Sequence, residues 1–160
     1  MLESEKILKK LNIDYKLIKL KSRAVTVEDV VKYSDGKLNP DEICKTIILK
    51  DDGGRLYAAF LLGSHKIDFK KLEKATGVKY SIVKPEEVEE KTKMSPGAVC
   101  PILVKMPIFL DNRVLKKSKV NFGSGDHLYG LEIATEDLRR VFRYDIVDIA
   151  KVENMEADLF

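Results

Sequence analysis

The feature that most constrains this chain is a pair of β-rich runs joined by a turn. Lys45–Lys50 reads KTIILK and Arg55–Leu62 reads RLYAAFLL, with Asp51-Asp52-Gly53-Gly54 between them. β-Branched and aromatic side chains fit a pleated surface, while Asp and Gly supply the backbone conformations a tight turn needs. Two such runs flanking a turn predict a hairpin.

The remaining elements follow from periodicity and caps. Leu2–Leu11 places Ile7, Leu8 and Leu11 on one helical face, and Tyr15–Leu20 reads as a strand. Thr26-Val27-Glu28-Asp29 opens a short helix: the hydroxyl caps an amide and the acids complement the positive helix end. Asn39-Pro40-Asp41-Glu42 repeats that logic. Asp68–Thr76 is a predicted helix with apolar Phe69, Leu72 and Ala75, ended by Gly77. Tyr80–Val83 is a short strand before a helix opened by Pro85. Further strands are expected over Ala98–Lys105, Ile108–Leu110, Lys119–Phe122, Leu128–Ala134 and Tyr144–Ile149, with a capped helix over Thr135–Phe142. Strands and helices interleave irregularly, without the βαβ alternation of a doubly wound sheet. The expected class is α+β: a mixed, partly barrel-like β-sheet flanked by helices.

Composition sets outer bounds. The 160 residues suit one domain spanning residues 1–160, and 44% hydrophobic content suffices for a core. The longest apolar runs, Tyr57–Leu62 and Ala98–Val104, are far shorter than the ~20 residues that cross a bilayer. Met1–Lys10 is charged and lacks the apolar stretch of a signal peptide. A soluble cytoplasmic protein without membrane partners is expected. Net charge is only +3, so the global electrostatics do not announce a nucleic-acid binder. Three local groups offer phosphate contacts: Lys16/Lys19/Lys21/Arg23, Lys66/Lys70/Lys71/Lys74 and Lys116/Lys117/Lys119. Most such groups are simply solvated faces.

Catalytic patterns that are absent narrow the chemistry. There is no G-x-S-x-G, Walker loop, G-x-G-x-x-G or H-E-x-x-H. His65, His127, Cys44 and Cys100 contain no pair at metal-ligand spacing, so neither a metal nor a cofactor is expected. A thiol nucleophile built from Cys100 and His127 is conceivable, but Cys100 lies in an apolar stretch before Pro101, where thiols are usually inert. Two glycine-containing stretches stand out. In Gly97-Ala98-Val99-Cys100-Pro101, glycine lets a backbone amide face a ligand without a Cβ in the way. Gly123-Ser124-Gly125-Asp126-His127 is a polar turn between two strands. Lys45 borders a core strand, where a lysine either snorkels to solvent or projects into a cleft.

Taken in order, Cys44-Lys45-Thr46-Ile47-Ile48-Leu49, Ile67-Asp68-Phe69-Lys70-Lys71-Leu72, Gly97-Ala98-Val99-Cys100-Pro101 and Phe122-Gly123-Ser124-Gly125 resemble the YbaK/ProX, prolyl-tRNA synthetase-associated editing family. The likeness spans about residues 8–142, and the K-T strand opening and the G-x-x-x-P loop are its most specific parts. The resemblance implies a mixed sheet curled towards a barrel. It also implies trans-editing aminoacyl-tRNA deacylation: hydrolysis of the ester on mischarged tRNA, Ala- or Cys-tRNA(Pro) in the first place. Lys45 matches the family's essential lysine. Thr46, Gly97, Ala98, Pro101, Gly123, Gly125 and His127 fall on substrate-binding positions, with backbone amides near Gly97 as donors and Pro101 stiffening the loop. A histidine like His127 resembles that of alanine-specific members, although a surface-loop position competes with this reading. Cys100 stands where a hydroxyl residue is common, and Lys93, after Thr92, where glycine is frequent. Implied partners are the 3′ aminoacyl-adenosine end of mischarged tRNA and prolyl-tRNA synthetase. A second function class fits the same residues: a non-catalytic tRNA- or synthetase-binding module of that fold.

Overall fold

The expected hairpin lies at the centre of the molecule. In the computed structural model, which describes residues 1–151, β2 (Cys44–Asp51) pairs antiparallel with β3 (Leu56–Leu62), from Cys44 opposite Leu62 to Lys50 opposite Leu56. Asp51 closes the turn by accepting the Gly53 and Arg55 amides, each at 2.9 Å. Around this pair a five-stranded sheet forms in the order β5-β2-β3-β6-β9, adding β5 (Tyr80–Ile82), β6 (Ile108–Asp111) and β9 (Asp145–Val147). It is mixed: β5-β2-β3 run antiparallel, whereas β3-β6 and β6-β9 pair in parallel. A second sheet has the order β1-β8-β7, from β1 (Tyr15–Lys19), β7 (Lys119–Gly123) and β8 (Tyr129–Ala134). A two-stranded ribbon joins β4 (Lys66–Ile67) to β10 (Ala150–Lys151). The α+β class holds; among the described residues the sheets do not close into a barrel.

Side-chain alternation explains the layering. Ala58, Phe60 and Leu62 of β3 enter the main core, together with Val120 and Phe122 of β7 and Leu131 and Ile133 of β8. That core therefore lies between the two larger sheets, and Leu8 of α1 (Glu3–Lys10) is buried within it. Ala59 and Leu61 point the other way, against Leu72 of α3 (Phe69–Thr76), Ile149 and Ala150. A strand buried on both faces accounts for the nearly continuous apolar run of β3. On the far side of the three-stranded sheet, Ile18, Leu38 and Ile43 pack against Val27, Val30 and Val31 of α2 (Val27–Tyr33).

The caps behave largely as their chemistry dictates. Thr26 Oγ1 accepts the Asp29 amide at 3.1 Å while Asp29 accepts the Val25 and Thr26 amides, a complete capping box for α2. Asp68 caps α3 by accepting from Lys70 and Lys71, and Gly77 ends it in the left-handed region. Helix α4 (Pro85–Thr92) ends at Lys93, whose φ of 63° is a conformation that favours glycine.

Several expectations need correction. Ala98–Lys105 is a series of turns, not a strand; Ala98, Val99, Cys100, Pro101 and Ile102 are buried, so its apolar run plugs the core. Asn39-Pro40-Asp41-Glu42 makes one 3₁₀ turn. Thr135–Phe142 splits into a 3₁₀ turn, Thr135–Asp137, and α5 (Leu138–Val141), and neither has a side-chain cap. Ala75 is exposed, leaving Leu72 as the buried anchor of α3.

Candidate functional site

β5 pairs with β2 only over Leu49–Asp51, so the first half of β2 keeps an open edge. A cleft of about 390 Å³ opens there. Its walls come from β2, α2 with the segment before it, the Gly63–Lys66 loop after β3, and β7 with the turn into β8.

Lys45 is half-buried on one wall. Its ammonium donates to the Gly63 carbonyl at 3.2 Å, which holds the head group beside the cleft rather than in bulk water. Burial lowers the Lys45 pKa; Glu28, also on the cleft wall, opposes this, while Lys66 adds to it. The result is a cation held in a partly dry setting, where its field is felt more strongly than in water.

Glycines build the cleft by letting backbones touch. Gly97 has φ 86°, and a Cβ there would lie 2.4 Å from the Val25 carbonyl oxygen. It thus admits the segment before α2, and it also lines the cleft. A Cβ on Gly123 would meet the Val99 carbonyl oxygen at 2.6 Å. The Gly125 amide donates to the Ala98 carbonyl at 2.8 Å, and Ala24 donates to the His127 carbonyl at 3.1 Å. Ser124 ties off the turn, its hydroxyl donating to the Tyr129 carbonyl at 2.7 Å and accepting the Asp126 amide at 3.1 Å. Three loops are therefore knitted into one wall.

The structure brings Lys45, Thr46, Gly97, Gly123 and His127 to the cleft. Ala98, Pro101 and Gly125 are not on its walls: Ala98 and Pro101 are buried and Gly125 braces the Gly97 loop. Cys100 is fully buried away from the cleft and burial pushes its thiol up to about 12, which removes the thiol-nucleophile reading. Among the described residues no three His, Cys, Asp or Glu side chains are grouped to hold a metal. No helix there is long and apolar enough to cross a membrane.

Two cleft residues escaped the sequence reading of the site. His65, weighed only as a metal ligand, lines the cleft with Nδ1 buried and without a hydrogen-bond partner. Asn121 on β7 is 2% exposed, and neither its Oδ1 nor its Nδ2 has a partner. The available signal was the alternation Val120-Asn121-Phe122, which turns the amide away from the apolar pair.

Comparison with known proteins places this geometry in context. The family model of the aminoacyl-tRNA editing domain matches residues 21–141. The crystal structure of a hypothetical protein superposes with a TM-score of 0.82 at 22% identity, covering 92% of this chain and 98% of that one. A proposed trans-editing enzyme for prolyl tRNA synthetase gives 0.79 at 19% identity, covering 95% of this chain and 99% of that one. A proposed signal transduction protein from Marinobacter aquaeolei gives 0.66 at 19% identity; 96% of this chain aligns with 34% of that one. These structural likenesses concern the fold.

Proposed function

The chain belongs to the aminoacyl-tRNA editing domain family of YbaK/ProX type, and from that premise we propose that it is a trans-editing deacylase. It hydrolyses the ester joining a small mischarged amino acid, alanine or cysteine on tRNA for proline, to the terminal adenosine. The observation that carries this reading is the half-buried Lys45 ammonium held beside an apolar-walled cleft.

An aminoacyl ester is already activated, so the protein has three tasks: to position it, to admit a water and to stabilise the oxyanion that develops on the carbonyl. Lys45 supplies the positive charge for the last task. Its bond to the Gly63 carbonyl fixes the head group without neutralising it, since a carbonyl carries no net charge. The ribose 2′-hydroxyl beside the ester assists the attack, which accounts for a site lacking a nucleophile–base pair. Thr46 and His127 face the same cleft and contact the substrate end. Exposed Lys66, Lys70 and Lys74 flank the cleft loop and α3 and suit the phosphates of the acceptor end. The other groups are partly engaged within the protein: Lys21 pairs with Asp35, and Lys16 and Lys119 lie near Glu132.

The test is a deacylation panel of alanyl-, cysteinyl- and seryl-tRNA with wild type and Lys45→Ala. Release of alanine or cysteine is expected from wild type, and Lys45→Ala should lose about 10²–10³-fold in kcat, the scale of removing one oxyanion-stabilising group. Full activity in Lys45→Ala would overturn the mechanism. Binding of tRNA without deacylation of any species would favour the non-catalytic module.

A further inference from the structure

Among the described residues, Asn121 brings two buried, unpartnered polar atoms to the cleft wall, where Thr46 Oγ1 and His65 Nδ1 bring one each. Its neighbours in sequence, Val120 and Phe122, enter the main core, so the amide points to the opposite face of β7. There it meets the start of β2, with Ile43 bridging directly to Asn121. Its cross-strand neighbour is Glu132, whose carboxylate lies 3.6 Å from Lys119 and 3.9 Å from Lys16. Both amide atoms therefore remain without a protein partner on the wall of the cleft. Leaving a primary amide buried in this way costs folding free energy, and native proteins rarely keep such a group unless something else satisfies it.

The chemistry of the amide selects its ligand. It offers an acceptor and a donor side by side, so a carboxylate or phosphate, carrying acceptors alone, would leave Oδ1 unmet. The surrounding wall is apolar, with Leu38, Ile43 and Phe122, and favours a compact group. Depth supplies the order. Lys45 is half-buried and Asn121 almost fully buried. An acceptor end entering from solvent meets Lys45 at its ester and reaches Asn121 only with what lies beyond, the amino acid itself. An adenine edge also matches an asparagine, but it precedes the ester along the substrate and stays outside.

We propose that Asn121 is the recognition residue for the α-amino ester: Oδ1 accepts from the substrate's α-ammonium and Nδ2 donates to its carbonyl. This rests on the deacylase reading of the cleft and adds to it a requirement for a free α-amino group, whatever the side chain.

The test compares two esters of the same tRNA: alanyl-tRNA and propionyl-tRNA, which lacks only the α-amino group. Rates are divided by the uncatalysed hydrolysis of each ester. Wild type should prefer the alanyl ester by about tenfold or more, the scale set by a buried polar group left unpaired. Asn121→Leu, similar in volume, should lose more activity on alanyl-tRNA, which uses both amide atoms, than on propionyl-tRNA, which uses only the carbonyl contact, so that the preference collapses. Its urea midpoint should equal or exceed that of wild type, because an unmet buried amide has been replaced by an apolar group. Equal losses on both esters, or a variant that is less stable or unfolded, would overturn the role of Asn121 alone. A wild type inactive on every aminoacyl ester would instead overturn the deacylase reading.

Discussion

At the scale of single residues, the site depends on how much water each polar group has lost. Lys45 is half-buried, and burial lowers its pKa below the ordinary lysine value. The charged form is the active one, so enzyme-dependent kcat/KM should fall as pH rises through that lowered pKa. Lys45→Arg, whose guanidinium stays charged, should move this alkaline limb upward even if its absolute rate is lower. The sign for stability is opposite. Between the lowered pKa and the ordinary one the unfolded chain binds more protons, so this group's contribution makes stability rise with pH across that window. A pH profile corrected for spontaneous ester hydrolysis, set beside urea midpoints over the same range, checks both signs. An activity limb unmoved by Lys45→Arg would remove Lys45 from the assignment. Lys45 and Thr46 were legible in sequence because they open a strand in a recognisable motif. Asn121 was not: asparagine within a strand reads as a solvent-facing position, and only the packing of Ile18, Leu38, Ile43 and α2 over that face buries it.

Elements were legible where local chemistry decides them. The hairpin turn, the capping box of α2 and the Asp68 and Gly77 ends of α3 formed as their residues dictate, since each rests on contacts a few positions apart. The Ala98–Lys105 segment failed because an apolar run marks burial but not conformation. Pro101 lacks an amide hydrogen, and the Leu103 amide turns back to the Cys100 carbonyl at 3.1 Å. The function of Gly97 lives at this scale too, since it lets the segment before α2 rest directly on the loop. Gly97→Ala places a Cβ 2.4 Å from the Val25 oxygen in a left-handed backbone, and should destabilise by roughly 2 kcal/mol or more. Gly54→Ala is the control: its φ is 82°, but nothing lies within 4 Å of the added Cβ, so it should lose only about 1 kcal/mol. Urea denaturation of the pair separates contact from conformation. Equal losses would show that the Val25 approach is not a constraint.

Across the whole molecule, what sequence could not show is how distant segments converge, and Asp111 illustrates it. This residue ends β6 and is fully buried, yet it sits in an unremarkable Leu110-Asp111-Asn112 stretch. Its Oδ1 accepts the Ile149 and Ala150 amides at 3.0 and 3.1 Å and takes Arg113 Nη1 at 3.0 Å. Those contacts fix the segment after β9. From there Ile149 accepts the Asp68 amide at 2.7 Å, and β10 pairs with β4, which continues into the loop carrying Gly63 and the acceptor for Lys45. A chain of short bonds thus runs from the edge of the central sheet to the cleft. Asp111→Ala strands two buried amides and removes one of the two carboxylates that pair with Arg113, and should cost about 3 kcal/mol or more. Asp148→Ala, removing a half-exposed partner of Arg113 and Lys71, should cost at most about 1 kcal/mol. Urea denaturation measures both, and hydrogen exchange at the Asp68 amide should quicken selectively in Asp111→Ala. If the two variants lose equal stability, the buried carboxylate is not what ties the C-terminal segment to the sheet.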